Sequence, residues 1–149
     1  MNINITDKYW MNIADMVANA STCRVKLGTV LINKNELVSV GFVGSIPEDL
    51  HCIDVGCLYE IVNGSRTCIR TVHSEMNAIL RLNGRPVDTC YTTYEPCLTC
   101  FKLLLSIGIK KIIFRRKHDD HWKHNLILNL SSQLNSKLIY QEYKNEIIK

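Results

Sequence analysis

The chain has 149 residues, a formal net charge of +4, and 46% hydrophobic against 21% charged residues. That balance excludes wholesale disorder and predicts one soluble domain over residues 1–149. No apolar run approaches the ~18 residues of a membrane span, and the charge is too weak to argue for a nucleic-acid protein.

Seven cysteines cannot all pair with one another, and the opening MNINITDKYW lacks the charged-then-apolar order of an export signal. A reducing, cytoplasmic setting is expected. Clustered thiols there bind metal more often than they form disulfides.

In chain order, residues 7–20 predict a helix, with Asp7 as N-cap and Trp10, Ile13, Ala14 and Val17 at helical spacing. Residues 29–33 and 37–43 predict two strands joined by the polar turn NKNE. Residues 44–72 show little periodicity, and structureless loops beyond about 12–15 residues are uncommon. This stretch holds three cysteines, so a functional or metal-pinned connection is expected. A helix at 73–83 is stopped by Gly84 and Pro86, and a strand follows at 89–94. A helix at 97–107 is stopped by Gly108, and a strand follows at 111–115. The tail predicts a helix near 122–134 and a strand at 137–140. Strands alternating with helices predict an α/β layered domain with a mixed sheet.

His73-Ser74-Glu75 opens one predicted helix, and Pro96-Cys97-Leu98-Thr99-Cys100 opens the next. Cys97 and Cys100 share a helix face at that spacing, and His73 supplies a third ligand. Three protein ligands leave the fourth tetrahedral position of Zn²⁺ open, which is the catalytic arrangement. Within the first helical turn Glu75 reaches a water at that position and can shuttle its proton. The pairing of H-x-E with P-C-x-x-C is the signature of zinc nucleobase deaminases. The competing reading is a zinc knuckle in a non-catalytic, zinc-stabilised interaction module, with Glu75 merely solvated.

The segments LHCIDVGCL, RTCIRTVHSEMNAI and TCYTTYEPCLTCFKLLLSIGIKKIIF, in that order, resemble the deoxycytidylate (dCMP) deaminase family over roughly residues 23–116. The resemblance implies a three-layer α/β/α cytidine-deaminase-like fold with a mixed central sheet. It implies hydrolysis of dCMP to dUMP and ammonia, supplying thymidylate synthesis. Carried over by position, His73, Cys97 and Cys100 match the zinc ligands and Glu75 the proton shuttle. The Glu95 backbone carbonyl is expected to accept from the substrate amino group. The resemblance also implies a homo-oligomer, often a hexamer, activated by dCTP and inhibited by dTTP.

At GFVGS, residues 41–45, Phe42 and Val43 replace the Tyr and Asn of the family pattern. Val43 has no group to hydrogen-bond a sugar hydroxyl, which bears on effector control and on sugar selectivity. A dual dCMP/dCTP deaminase is an alternative. A tRNA adenosine deaminase is another, because EPCLTC resembles that family's E-P-C-x-x-C. Asn77, the cysteine-rich connection and the modest charge argue against it.

Cys23, Cys52, Cys57 and Cys68 are candidates for a second, structural zinc; otherwise they pack as small apolar groups. Arg24 and Lys26 precede the first strand and are candidates for the substrate phosphate. Arg66, Arg70, Arg115 and Arg116 are rivals. His118, His121 and His124, in RRKHDDHWKH, read as a solvated turn. Cys90 reads as core strand, and Tyr91 and Tyr94 as packing residues.

Overall fold

The computed structural model describes residues 5–134 and 137–144. Helix α1 spans Ile5–Ala18 and is followed by strands β1 (Gly28–Asn33) and β2 (Glu36–Phe42). Between residues 44 and 72 come β3 (Gly44–Ser45), the short helix α2 (Cys52–Val55), β4 (Tyr59–Val62), β5 (Ser65–Cys68) and β6 (Thr71–Val72). Then follow α3 (Ser74–Leu80), β7 (Thr89–Tyr94), α4 (Leu98–Ser106), β8 (Lys111–Arg116), α5 (His121–Gln133) and β9 (Ile139–Glu142).

The central sheet has the order β2-β1-β7-β8-β9. β1 pairs antiparallel with β2 and β7, whereas β7–β8 and β8–β9 are parallel. The sheet is therefore mixed, as expected. Alternation along each strand assigns its two faces. Val30, Ile32, Tyr91 and Ile113 pack against Trp10, Met11 and Ala14 of α1. Leu31, Cys90 and Ile112 pack on the other face with Ala78 of α3, Phe101 and Leu104 of α4, and Ile127 of α5. Helices thus cover both faces, giving three layers. Cys90 is fully buried core. Among the described residues no helix is long and apolar enough to cross a membrane.

Two glycines set how closely the helices approach. A Cβ on Gly28 would lie 2.3 Å from the Ala14 carbonyl oxygen of α1. One on Gly41 would lie 2.2 Å from the Ser74 carbonyl oxygen and 2.3 Å from the Ala78 amide nitrogen of α3. Both helices therefore rest directly on strand backbone.

Three expectations change in detail. Asp7 is not an N-cap, because α1 already includes Ile5 and Thr6. Its buried carboxylate turns to the sheet, accepting from the Tyr91 hydroxyl at 2.6 Å and from Lys111 at 2.6 Å. The β1–β2 turn is the two-residue loop Lys34-Asn35, both at positive φ (48° and 64°), as a type I′ hairpin requires. Residues 44–72 are not a plain connection. Their β4–β5 hairpin turns at Asn63-Gly64, again with both φ positive (50° and 78°).

Candidate active site

The parallel strands β7 and β8 end side by side, and the loops that leave their C-terminal ends form one wall of the site. Such strand ends are the usual ligand position in open α/β sheets. Helix α3 forms the floor. Its register on the sheet is fixed by Asn77, whose side-chain amide donates to the Phe42 carbonyl at 2.9 Å, and by Ser39, which donates to the Ala78 carbonyl at 2.7 Å. Beneath the site runs a chain of buried hydroxyls. Thr92 and Thr29 are 3.0 Å apart, Thr29 and Ser74 are 2.8 Å apart, and Ser74 donates to Glu75 at 3.2 Å.

His73 precedes α3, and Cys97 caps α4, its sulfur accepting from the Cys100 amide at 3.4 Å. The ligand atoms of His73, Cys97 and Cys100 all lie within 4.8 Å of one another. His73 Nδ1 is 3.6 Å from Cys97 Sγ and 3.5 Å from Cys100 Sγ. A tetrahedral ion with Zn–N of about 2.0 Å and Zn–S of about 2.3 Å has N···S edges of about 3.5 Å. The trio fits zinc in donor type and in spacing. Contact with the Cys100 thiol, His73 and the Cys100 amide holds the Cys97 thiol down to about 3. Cys97 in turn raises the His73 imidazole, while contact with Cys97 together with burial pushes the Cys100 thiol up.

Glu75 is buried, and that burial raises its carboxyl above the usual range despite His73 and Ser74. A carboxyl raised in this way holds a proton more readily than an ordinary one, which suits it to take and return one. His73, Ser74, Glu75 and Cys97 line a cavity of about 480 Å³. Tyr94, Glu95, His118 and Val43 line it as well.

The expected site residues are thus brought together at His73, Glu75, Cys97, Cys100, Glu95 and Arg24. Arg24 stands at the cavity with Arg66, whose guanidinium lies 3.9 Å from the centre of the Tyr59 ring. Lys26 lies elsewhere. It donates to the Ser21 carbonyl and lines an adjoining cavity of about 620 Å³ with Arg24, Arg115 and Arg116. Arg70 is paired with Asp49 at 3.1 Å, and Arg115 with Asp15.

Cys52, Cys57 and Cys68 also place their sulfurs within 4.8 Å of one another, with Cys52 and Cys68 3.8 Å apart. Burial and the neighbouring Cys68 push the Cys52 thiol up to about 12. Cys23 is buried in the same apolar cluster as Cys52 but stands outside that trio.

Two histidines read from the sequence as surface residues prove to be structural partners of the site. The Glu95 carboxylate is fully buried and accepts from the His118 amide at 2.9 Å, His124 Nδ1 at 2.5 Å and the Tyr140 hydroxyl. Burial alone pushes this carboxyl up, but Tyr140, the His118 N–H and His124 outweigh it and hold it below the usual carboxylate value. The His118 ring packs edge-on against Tyr94, with centroids 5.1 Å apart, and its Nε2 is 3.2 Å from the Pro96 carbonyl oxygen. His121 is exposed, as expected.

A three-layer α/β/α scaffold that gathers a histidine and two cysteines at zinc-ligand spacing, with a buried carboxylate beside them, marks the class of zinc-binding α/β/α proteins. The chain belongs to the cytidine and deoxycytidylate deaminase zinc-binding region family, whose model matches residues 4–116. It is 34% identical over 120 residues to ComE operon protein 2 of Bacillus subtilis, covering 77% of this chain and 61% of that protein. It is 27% identical over 122 residues to the deoxycytidylate deaminase of Mycobacterium phage D29, covering 74% of this chain and 94% of that one. Its fold matches the dCMP deaminase of cyanophage S-TIM5, solved in complex with dCMP and dUMP, with a TM-score of 0.69, 21% identity, and 95% and 98% of the two chains covered. The chain spans 61% of the Bacillus protein and 38% of each deoxycytidylate deaminase from Schizosaccharomyces pombe and Saccharomyces cerevisiae.

Proposed function

We propose that this chain is a zinc-dependent deaminase that hydrolyses dCMP to dUMP and ammonia, with residues 1–149 acting as one domain. The observation that carries this reading is the cluster of His73, Cys97 and Cys100 with Glu75 buried at the same cavity. His73 Nδ1, Cys97 Sγ and Cys100 Sγ hold the metal. Zinc bound there supplies Lewis acidity that makes water a nucleophile near neutral pH. Glu75 takes a proton from the attacking water and gives it to ring nitrogen 3 of cytosine. The oxygen of that water bonds to carbon 4 of the ring. Glu75 then takes the second proton from the added hydroxyl and passes it to the amino group, so that the C–N bond breaks, ammonia leaves and carbon 4 keeps a carbonyl. Glu95 lines the cavity while its carboxylate is fully buried, which supports its backbone carbonyl as the acceptor for that amino group.

Ammonia release from dC, dCMP, dCDP, dCTP, CMP and a tRNA anticodon stem tests the assignment, each with and without dCTP and dTTP. The highest kcat/KM is expected for dCMP; no release from any cytosine nucleotide would overturn the reading. Val43 presents only carbon to the cavity, so any dCTP or dTTP response arises without an amide at that position. A dual dCMP/dCTP specificity is the second reading. The adjoining cavity favours it, because Arg24, Lys26 and Arg116 line it beside an Arg115 already paired with Asp15, and a longer phosphate chain carries more charge to match than a monophosphate.

Arg24 and Arg66 are the phosphate partners in this reading. Among the described residues neither guanidinium is ion-paired. Arg24→Ala and Arg66→Ala are each expected to raise KM for dCMP by about ten-fold, from a lost charge-assisted hydrogen bond worth roughly 1.5 kcal/mol. Turnover of dC, which has no phosphate, should stay unchanged. An equal loss for both substrates would remove the assignment.

A second, structural zinc at Cys52, Cys57 and Cys68, with Cys23 of the same buried cluster as the fourth ligand that a closed site needs, belongs to the same proposal. The 3.8 Å sulfur separation supports it, since two thiolates on one tetrahedral zinc stand about 3.8 Å apart. Metal analysis should give two zinc ions per chain, falling to one in Cys57→Ser. One zinc, unaffected by that substitution, would exclude it. A homo-oligomer, a hexamer by family resemblance, is supported by apolar side chains that this region leaves exposed, among them Ile46, Leu50, Ile53, Leu58, Ile61 and Ile69. The unpaired cysteines support a reducing, cytoplasmic setting.

A further inference from the structure

The family match ends at residue 116, yet the three groups that satisfy Glu95 all lie beyond it, at His118, His124 and Tyr140. They come from three places: the loop after β8, helix α5 and strand β9. Glu95 sits between Tyr94, which ends β7, and Pro96-Cys97, which leads into α4. A fully buried carboxylate with no donors is strongly disfavoured, so these donors dictate where Glu95 rests. The adjoining backbone is held on both sides. The Glu95 amide donates to the Arg116 carbonyl at 2.8 Å, and His118 Nε2 reaches the Pro96 carbonyl at 3.2 Å. The same network sets the His118 ring, which lines the cavity against Tyr94.

We propose that the Glu95 carboxylate is a positioning group, and that Tyr140 and His124 act on the reaction through it. Their contacts set the height of the loop carrying Cys97 and the Glu95 carbonyl, and hold His118 as one wall of the cavity. The C-terminal segment thereby becomes part of the reaction machinery although it supplies no ligand to the metal. The inference rests on the deaminase reading above.

Tyr140→Phe is the cleanest probe. It keeps the ring that packs on Phe101 and Phe114, at 5.4 and 4.9 Å, and deletes only the hydroxyl. A shift of the loop by a fraction of an ångström is expected to lower kcat for dCMP about 10- to 100-fold, with KM changed less than three-fold and zinc content unchanged. Glu95→Gln should give a loss of similar size. The double variant should lose no more than the worse single one, because both act through the same carboxylate. Cobalt substitution supplies a readout independent of turnover. The visible d–d bands of the His73–Cys97–Cys100 site should shift in Tyr140→Phe and not in Tyr9→Phe, a distant exposed control.

Unchanged kcat and unchanged cobalt bands in Tyr140→Phe would overturn the inference. So would losses that multiply in the double variant. If the parent chain releases no ammonia from any cytosine nucleotide, the deaminase reading fails by itself, and the cobalt bands still decide whether Tyr140 and Glu95 position the loop.

Discussion

Glu75→Ala should lower ammonia release from dCMP by about 10²- to 10⁴-fold, the range removed when a general acid–base is deleted, while zinc stays bound. Two facts set the size of this effect. Glu75 lines the cavity beside His73 and Cys97, and burial raises its carboxyl above the usual carboxylate value. It is also outside the ligand trio, so its loss leaves His73, Cys97 and Cys100 intact. Zinc analysis alongside the ammonia assay decides the matter. Activity comparable to the parent would end the proposed role, and loss of zinc in step with activity would reassign Glu75 to metal binding. Glu75→Gln keeps the shape and removes the charge, and should be as inactive as Glu75→Ala.

The second large effect concerns the ligands. Cys97→Ala should lose the zinc of this site and drop ammonia release to the uncatalysed background. The same substitution should lower thermal stability. A ligand present at about 1,000 times its Kd stabilises by about 4 kcal/mol. At roughly 2–4 °C per kcal/mol for a chain near this size, Tm should fall by roughly 10 °C. Chelation of the parent should reproduce both losses, and added zinc should reverse them in the parent but not in the variant. Cys90→Ala is the matched control: a buried thiol in the core, outside both sulfur clusters, whose loss destabilises the fold and spares the metal. Cys97→Ala with full zinc and full activity would remove the central assignment.

Much of this was legible in the residues themselves. The sheet strands announce their period through one- or two-sided burial, and the helices through apolar spacing and flanking glycine or proline. His73, Glu75, Cys97 and Cys100 lie in two short blocks, each at the start of an element, so local spacing already implies convergence. Residues 44–72 resisted because strands of two to four residues carry no measurable period, and β4 is exposed along its whole length. The Asn63-Gly64 pair was the available signal there, as a type I′ turn needs two residues that tolerate positive φ. His118 and His124 were illegible for a different reason. They sit in a run of charges that looks solvated, and their role exists only because β8 returns beside β7 and delivers them to a carboxylate far away in sequence. The hint was Glu95 itself, an acid at the end of an otherwise buried strand, which demands donors from elsewhere.

The seat of α3 on Gly41 has a consequence for how such a protein can diversify. At Gly41 no side chain separates helix from strand, so the floor that carries His73 and Glu75 has little slack there to absorb a substitution. On the proposed reading, new preferences for sugar, phosphate length or effector are therefore expected at the rim, in the segment between β2 and α3. That is the part of the molecule in which relatives are expected to differ most while the chemistry beneath it stays the same.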